Sequence, residues 1–235
     1  MSRMFSFITE TWNPLGGACP HKCIYCWSRR LQKRYNLIKY HGKPRLIKKE
    51  LNRKFKPGGF VFVQDMTDLF AEKVSTRLIR EILSRIREFS KTKFLLLTKN
   101  PGRYKDLILS IPENCVLGAT IETNGWESEK GNFYPSVSKA PHPLERIEAL
   151  RKLRDWDVPH QIMVSIEPIL DFDLGVFMGY LMDVSPDFVV VGYDNYSNRL
   201  PEPPLKKTLR LIERLERFTI VYRKTLRKAW WEGES

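Results

Sequence analysis

The sequence predicts an α/β fold, a partial (β/α) barrel of six or seven parallel strands forming one domain over residues 1–235. Three observations carry this expectation. Short apolar, β-branched or aromatic runs alternate along the chain with longer amphipathic ones. One of the short runs, FLLLT at 94–98, is continuously apolar, as a strand buried on both faces is. The chain has 235 residues with 42 % hydrophobic side chains, enough for one sizeable core.

Taken in order, residues 5–9 are the expected first strand. FVFVQ (60–64) follows a turn at 57–59, and FLLLT (94–98) is a continuous apolar run. CVLGATI (115–121), IMVSI (162–166), FVVV (188–191) and FTIVY (218–222) complete the strands. Between them, residues 75–89 place Leu78, Ile79, Ile82, Leu83 and Ile86 at helical spacing. Residues 143–154 do the same with Leu144, Ile147, Leu150 and Leu153, and residues 173–183 and 205–215 are also expected as helices. The longest stretch without an element is 123–142, which is rich in Gly and Pro. Loops of that length are usually functional or disordered. It follows the fourth strand, so it belongs to the carboxyl-end face where such barrels carry their active sites.

The N-terminus has no apolar core followed by a small-residue cleavage site, and no run approaches the roughly 20 apolar residues of a membrane span. The expectation is a cytoplasmic protein without a membrane partner. The formal net charge is +13. Residues 28–56 hold twelve bases against one acid, Glu50, which is +11 of that total. A field so concentrated favours a polyanion, and Arg29, Arg30, Lys33, Arg34 and the bases onward to Lys56 are the candidate nucleic-acid contacts. A solvated Lys-rich surface is the plainer alternative. A smaller cluster, Arg223, Lys224, Arg227 and Lys228, precedes Trp230 and Trp231.

Three of the four cysteines lie within eight residues, CPHKCIYC, as Cys19, Cys23 and Cys26. Pro14, Gly16 and Gly17 open the loop that carries them. Clustered cysteines in a reducing compartment read as metal ligands or redox groups. Three thiolates on a [4Fe–4S] cluster leave one iron open for a ligand. Tyr25 sets an aromatic ring before the last thiolate, where it can shield such a cluster from water. Zinc held by the three cysteines with His21 is the alternative. Cys115 opens a buried strand and reads as core.

CxxxCxxC with an aromatic before its third cysteine, after the first strand of an α/β domain, resembles the radical-SAM superfamily. Along almost the whole chain the sequence resembles a phage-associated three-Cys-motif family of radical-SAM-like proteins. The pieces that match are ETWNP, FVFVQDMTDLF, FLLLTKNP, LGATIET, VSIEPIL, VVVGYDN and YRK. A weaker, motif-level likeness is to spore photoproduct lyase, a radical-SAM DNA-repair enzyme. The resemblance implies a [4Fe–4S] cluster on Cys19, Cys23 and Cys26, S-adenosylmethionine as second cofactor, and an electron donor. It implies reductive cleavage to methionine and a 5′-deoxyadenosyl radical that takes hydrogen from a substrate; the basic segment beside the cluster loop, not the resemblance, makes a nucleic acid the leading candidate. Two other function classes stand beside it. One is the same chemistry on a peptide, protein or small anionic metabolite. The other is a non-enzymatic nucleic-acid-binding protein with a structural zinc or iron–sulfur site.

Such a fold places cofactor ligands at the carboxyl ends of strands, where Gln64, Asp65, Thr98, Lys99, Thr120, Glu122, Ser165, Glu167, Tyr193 and Asp194 stand. Gln64-Asp65-Met66 occupies the position of the superfamily's GGE-like turn, so Asp65, or nearby Asp68, is the candidate for the methionyl ammonium. Glu122 is the candidate for the ribose hydroxyls, and Lys99 or Arg146 for the methionyl carboxylate. Gln64, Thr120, Ser165 and Tyr25 complete the cofactor set. Glu167 and Glu122 are the candidates for direct participation. For each, a structural ion pair or loop polar is the competing explanation. Trp27, Tyr35, Tyr40, Trp126, Phe133 and Tyr134 are candidates for stacking on bases.

Overall fold

The computed structural model describes residues 4–124 and 134–233. Trp126 and Phe133 therefore lie outside the described residues. In chain order the elements begin with β1 (Glu10–Trp12), β2 (Leu15–Gly16), α1 (Trp27–Arg34), β3 (Arg45–Leu46) and α2 (Lys48–Leu51). They continue with β4 (Phe60–Val63), α3 (Thr76–Arg87), β5 (Lys93–Thr98), β6 (Cys115–Thr120), α4 (Tyr134–Val137) and α5 (Pro143–Asp155). The last are β7 (Ile162–Ile166), α6 (Leu174–Val184), β8 (Phe188–Val191), α7 (Leu205–Leu215) and β9 (Ile220–Arg223).

Seven parallel strands form one sheet in the order β1-β4-β5-β6-β7-β8-β9 and curl into a half-barrel. β2 and β3 pair antiparallel as a separate short ribbon. Each strand step to its parallel neighbour needs a crossover, which helices supply except between β5 and β6, where two short 3-10 turns, Pro101–Tyr104 and Ile108–Ser110, lie in the connection. The chain divides into two compact units, one of Met1–Lys22, Cys26–Gly118 and Pro159–Gln161, the other of Cys23–Tyr25, Ala119–Val158 and Ile162–Ser235.

The first unit is built on an aromatic core. Phe55 meets Trp12, Phe94 and Phe89 edge-on, with ring centroids 5.1–5.3 Å apart. The Trp12 indole N–H donates to the Glu50 carbonyl at 2.9 Å, so the buried ring keeps its polar edge satisfied. α3 buries Ile79, Ile82, Leu83 and Ile86 and is capped by Ser75, whose hydroxyl accepts from the Leu78 N–H. Each such side chain contributes roughly 1.5–3 kcal/mol by leaving water.

The strand expected at 5–9 lies later. The chain turns there, with the Ile8 N–H on the Phe5 carbonyl, so that the Phe5 and Phe7 rings stack at 5.4 Å. Phe5 then packs on Phe62 and Phe7 on Phe60. The aromatic run is buried by a turn, and pairing with β4 begins at Glu10.

In the second unit β8 lies between β7 and β9. α6 starts at Asp173, whose carboxylate accepts from the Val176 N–H at 2.8 Å. α5 starts with a capping box made by His142 and Glu145. The C-terminal segment is tied down by polar contacts. Arg227 grips Glu202 with two N–H groups at 2.7 and 2.8 Å. The Trp230 and Trp231 indoles donate to the carbonyls of Leu200 and Glu202. Among the described residues no helix is long and apolar enough to cross a membrane.

Candidate functional site

The cysteine loop is led in by β2 and led out by α1, and within the first unit polar side chains fix both ends. Gln64 follows β4 with a positive φ of 67°. Its carbonyl oxygen accepts from the Leu15 N–H at 2.9 Å, and its amide donates to the Leu15 carbonyl at 2.8 Å and to the Thr67 hydroxyl at 2.6 Å. Asn13 donates to Asp65 at 2.6 Å and accepts from the Met66 N–H at 3.0 Å. The stretch after β4 is thus stitched to the stretch after β1. Gly17 has φ +101°, and a Cβ there would lie 2.7 Å from the Lys43 carbonyl oxygen. Only glycine suits that approach of backbone to backbone.

Asp68 is buried and holds a motif residue. It accepts from His21 Nε2 at 2.9 Å, the Thr98 hydroxyl at 2.7 Å, and the Lys99 and Phe70 N–H groups at 2.8 and 2.9 Å. Burial alone pushes its carboxyl up. The hydrogen bond and charge of His21, with the Lys99 and Thr98 donors, outweigh that and bring it below the ordinary carboxylate value.

Cys26 is the N-cap of α1, and its sulfur accepts from the Arg29 N–H at 3.4 Å. A thiol at a helix N-terminus is biased toward thiolate, the form that binds metal. Ser28, in the first turn, is buried and donates to the Met66 carbonyl.

Within the second unit Cys23–Tyr25 sits on α4 and the ends of β6. The Ile24 N–H donates to the Val137 carbonyl at 3.0 Å, and the Cys23 sulfur lies 3.1 Å from the Ser138 hydroxyl. The Tyr25 hydroxyl donates to Glu122, as does the Tyr134 hydroxyl at 3.1 Å. Arg146 forms an ion pair with Glu122 at 2.8 Å, with both side chains wholly excluded from water. The same guanidinium donates to the Thr120 and Pro141 carbonyls and to the Tyr134 hydroxyl. Burial first, and the neighbouring Cys23 and Glu122 next, push the Tyr25 hydroxyl well above the ordinary phenol value. Tyr25 is therefore a neutral donor that carries the motif onto a buried charge pair.

Other candidates are engaged elsewhere. Glu167 pairs with Lys224 at 2.6 Å. Ser165 is buried within β7. Burial raises the Asp65 carboxyl, partly offset by Asn13. The Tyr193 hydroxyl bonds the Pro203 carbonyl and Thr208, and Asp194 accepts from Asn198. Tyr40 and Tyr134 are buried at 2 % exposure, so neither offers a face to a base, whereas Tyr35 is 57 % exposed. Cys115 is buried, and burial pushes its thiol well up, as fits a core residue. The sequence reading missed Asn13, Ser138 and the His21–Asp68 pair. Asn13 stood in the ETWNP piece, but nothing local announced partners 47 to 115 residues away.

The donor set suits an iron–sulfur cluster. The three thiols share one short loop, none is in a disulfide, and Cys26 has a helix N-terminus behind it. Among the described residues no three His, Cys, Asp or Glu side chains gather as ligands of one metal ion. Cluster thiolates bind separate irons and need not meet at one point, so the two observations agree.

A parallel half-barrel with a three-cysteine loop after its first strand defines the class. The family described as "Protein of unknown function (DUF5131)" matches residues 3–202, and the chain belongs to that family. The phage-associated three-Cys-motif family is not shown by these matches. No curated protein matches the chain in sequence.

The fold is shared with two radical-SAM enzymes. A spore photoproduct lyase mutant with bound AdoMet and dinucleoside spore photoproduct superposes with TM-score 0.56 at 11 % identity, over 88 % of this chain and 61 % of that one. Another mutant of that lyase, with the dinucleoside alone, gives 0.59 at 11 % identity over 89 % and 75 %. Streptococcus suis SuiB bound to S-adenosylmethionine gives 0.55 at 14 % identity over 98 % and 54 %. The chain spans 61 % of the first and 54 % of the last. At such identities the likeness establishes a common fold.

Proposed function

We propose that this protein is a radical-SAM enzyme that holds a [4Fe–4S] cluster on Cys19, Cys23 and Cys26 and binds S-adenosylmethionine. The observation that carries the reading is the three-cysteine loop, free of disulfides and backed by the α1 N-terminus, in a fold shared with S-adenosylmethionine-bound enzymes. When bound, cluster and S-adenosylmethionine together supply reductive cleavage to a 5′-deoxyadenosyl radical, with one electron from an external donor.

The residues of the chain have separable tasks in this reading. Gln64 and Asn13 hold the lead-in of the loop, and Asp68 orients His21 inside it. Cys26 caps α1, its sulfur accepting from the Arg29 N–H. Asp65, near the loop, is the candidate acceptor for the methionyl ammonium, and Lys99 the candidate cation for its carboxylate. Thr120 and Ser165 remain candidates to line the cofactor site, and Glu167 to face substrate. For Glu122, complete burial and its three partners favour a positioning role through Tyr25 over direct contact with ribose.

The test is anaerobic reconstitution with iron and sulfide, then dithionite and S-adenosylmethionine, reading 5′-deoxyadenosine. Product is expected from the native chain and none from Cys19→Ala, Cys23→Ala or Cys26→Ala. A chain that takes up zinc and no iron, or that yields product after loss of the cysteines, refutes the reading.

A further inference from the structure

Two basic clusters stand out in the sequence, and the structure treats them differently. In the later one, three of the four bases are paired internally. Arg223 pairs with Glu216, Lys224 with Glu167 and Arg227 with Glu202. The earlier one is largely exposed. Arg29, Arg30, Lys33 and Arg34 on α1 are all exposed, and so are seven of the eight further bases between Lys39 and Lys56. The exception, Arg53, pairs with Glu10 and with Glu50, the single acid of the segment. Among the described residues no carboxylate lies within ion-pair distance of Arg29, Lys33 or Arg34.

Helix physics disfavours part of this placement, although Lys33 and Arg34 in the last turn suit the dipole. Arg29 and Arg30 occupy the first turn of α1, at the positive end of its dipole, and that turn has no acidic residue. Arg29 with Lys33, and Arg30 with Arg34, are like-charge pairs at i,i+4, which weaken a helix. A concentration of positive charge kept against local stability fits a polyanionic partner.

The partner's class follows from what accompanies the charge. An interfacial membrane helix needs an apolar face to bury among lipids. α1 shows bases outward, and its two apolar side chains, Trp27 and Leu31, are half-buried, so little apolar face is left for lipid. What stands beside the bases is an aromatic ring. Tyr35 is 57 % exposed, and the Arg34 guanidinium lies 5.4 Å from its centroid. Cationic side chains beside an open aromatic face form the pattern that binds unpaired nucleic-acid strands, with phosphates on the bases and a nucleobase on the ring.

We propose that α1 and the basic segment behind it bind a single nucleic-acid strand, with phosphates on Arg29, Arg30, Lys33 and Arg34 and a base stacked on Tyr35. α1 begins at the last cysteine of the motif, so this surface starts where the proposed chemistry would occur. The proposal rests on the radical-SAM reading for what happens to the strand, and on charge and exposure alone for its binding.

The experiment measures anisotropy of fluorescein-labelled 20-nucleotide DNA and RNA strands, and of the matching duplexes, against the full chain from 50 to 200 mM salt. Single strands are expected to bind more tightly than duplex, with log K falling linearly in log salt. Arg29→Gln/Arg30→Gln/Lys33→Gln/Arg34→Gln should weaken binding at least ten-fold and lower the slope by about 3, four contacts at about 0.7 each. Tyr35→Ala should weaken binding about ten-fold and leave the slope in place. Lys48→Gln/Lys49→Gln, away from α1, guards against a folding defect in the quadruple variant and should lower the slope by about 1.4. Lys73→Gln/Arg77→Gln/Arg80→Gln/Lys91→Gln removes equal charge elsewhere and should change little. Tight duplex binding with none to single strands, equal losses from the two quadruple variants, or no binding by the native chain would overturn the proposal. These readouts need neither cluster nor S-adenosylmethionine. Strand binding without 5′-deoxyadenosine formation would therefore sink the enzymatic reading alone, and the reverse result this one alone.

Discussion

Arg146 and Glu122 form an ion pair from which water is wholly excluded, and Tyr25 joins the cysteine motif to it. Arg146→Met keeps much of the aliphatic stem and removes the guanidinium. It leaves Glu122 charged and buried, supported by the Tyr25 and Tyr134 hydroxyls alone among the contacts described, and leaves the Thr120 and Pro141 carbonyls without their donor. Breaking a buried pair at one end costs about 3–5 kcal/mol, a large part of the roughly 5–15 kcal/mol that holds a domain folded. For a chain of this size that corresponds to a melting point lower by roughly 6–20 °C. Adding Glu122→Gln removes the orphaned charge and keeps an acceptor for both hydroxyls, so the double variant should be more stable than Arg146→Met alone. The assay is urea unfolding of Arg146→Met, Glu122→Gln, the double variant and the native chain at pH 7. A loss under about 1 kcal/mol for Arg146→Met, or a double variant no better than the single, would refute the view that this pair anchors the motif.

Three further expectations follow from the same geometry. Asp68 has a depressed carboxyl in the folded chain, so its contribution is present above the unfolded value of about 3.9 and is lost as pH falls through the lower folded value. The stability difference between the native chain and Asp68→Asn should hold from pH 7 to 5 and shrink below about pH 4; a difference constant down to acid unfolding contradicts this. Gly17→Ala forces a side chain to within 2.7 Å of the Lys43 carbonyl oxygen at φ +101°. It should cost about 1–3 kcal/mol in urea unfolding and reduce iron uptake on reconstitution; a change within 0.5 kcal/mol with full iron uptake, a figure set by the scatter of ordinary surface substitutions at roughly that size, speaks against the close approach. Cys115→Ala should leave iron per chain unchanged, because that thiol is buried in β6 with its ionisation suppressed; loss of iron would make it a ligand.

The fold was legible because its signal is local. FLLLT and IMVSI lie within β5 and β7, and the helix expected at 205–215 is α7. In each case buried apolar side chains repeat at the spacing of one element, and nothing distant changes the outcome. Where the reading failed, a neighbour far along the chain decided. FSFIT has strand-forming residues, but Phe5 and Phe7 are buried against Phe62 and Phe60 by a turn. α1 passed unnoticed because its run WSRRLQKR buries Ser28 rather than an apolar stripe.

The site divides along the same line. Three cysteines in eight residues are a local signal with one dominant chemical meaning. A polar residue after a strand is not, because a carboxylate aimed at a ligand and one aimed at an arginine look alike in one dimension. Glu122 shows the difficulty: ATIET presents it at a strand end, and its partners Tyr25 and Arg146 lie 97 residues before it and 24 after it. Asp68 was read as a candidate for an ammonium, yet four donors from His21, Phe70, Thr98 and Lys99 meet it inside the protein. In both cases the carboxylate acts on a residue of the cysteine motif instead, His21 or Tyr25. Within its own unit each carboxylate thus holds one part of the loop, Asp68 through His21 and Glu122 through Tyr25. On this argument, substitution of Asp68 or Glu122 should act first on how well the loop takes up iron, and only through that on any reaction.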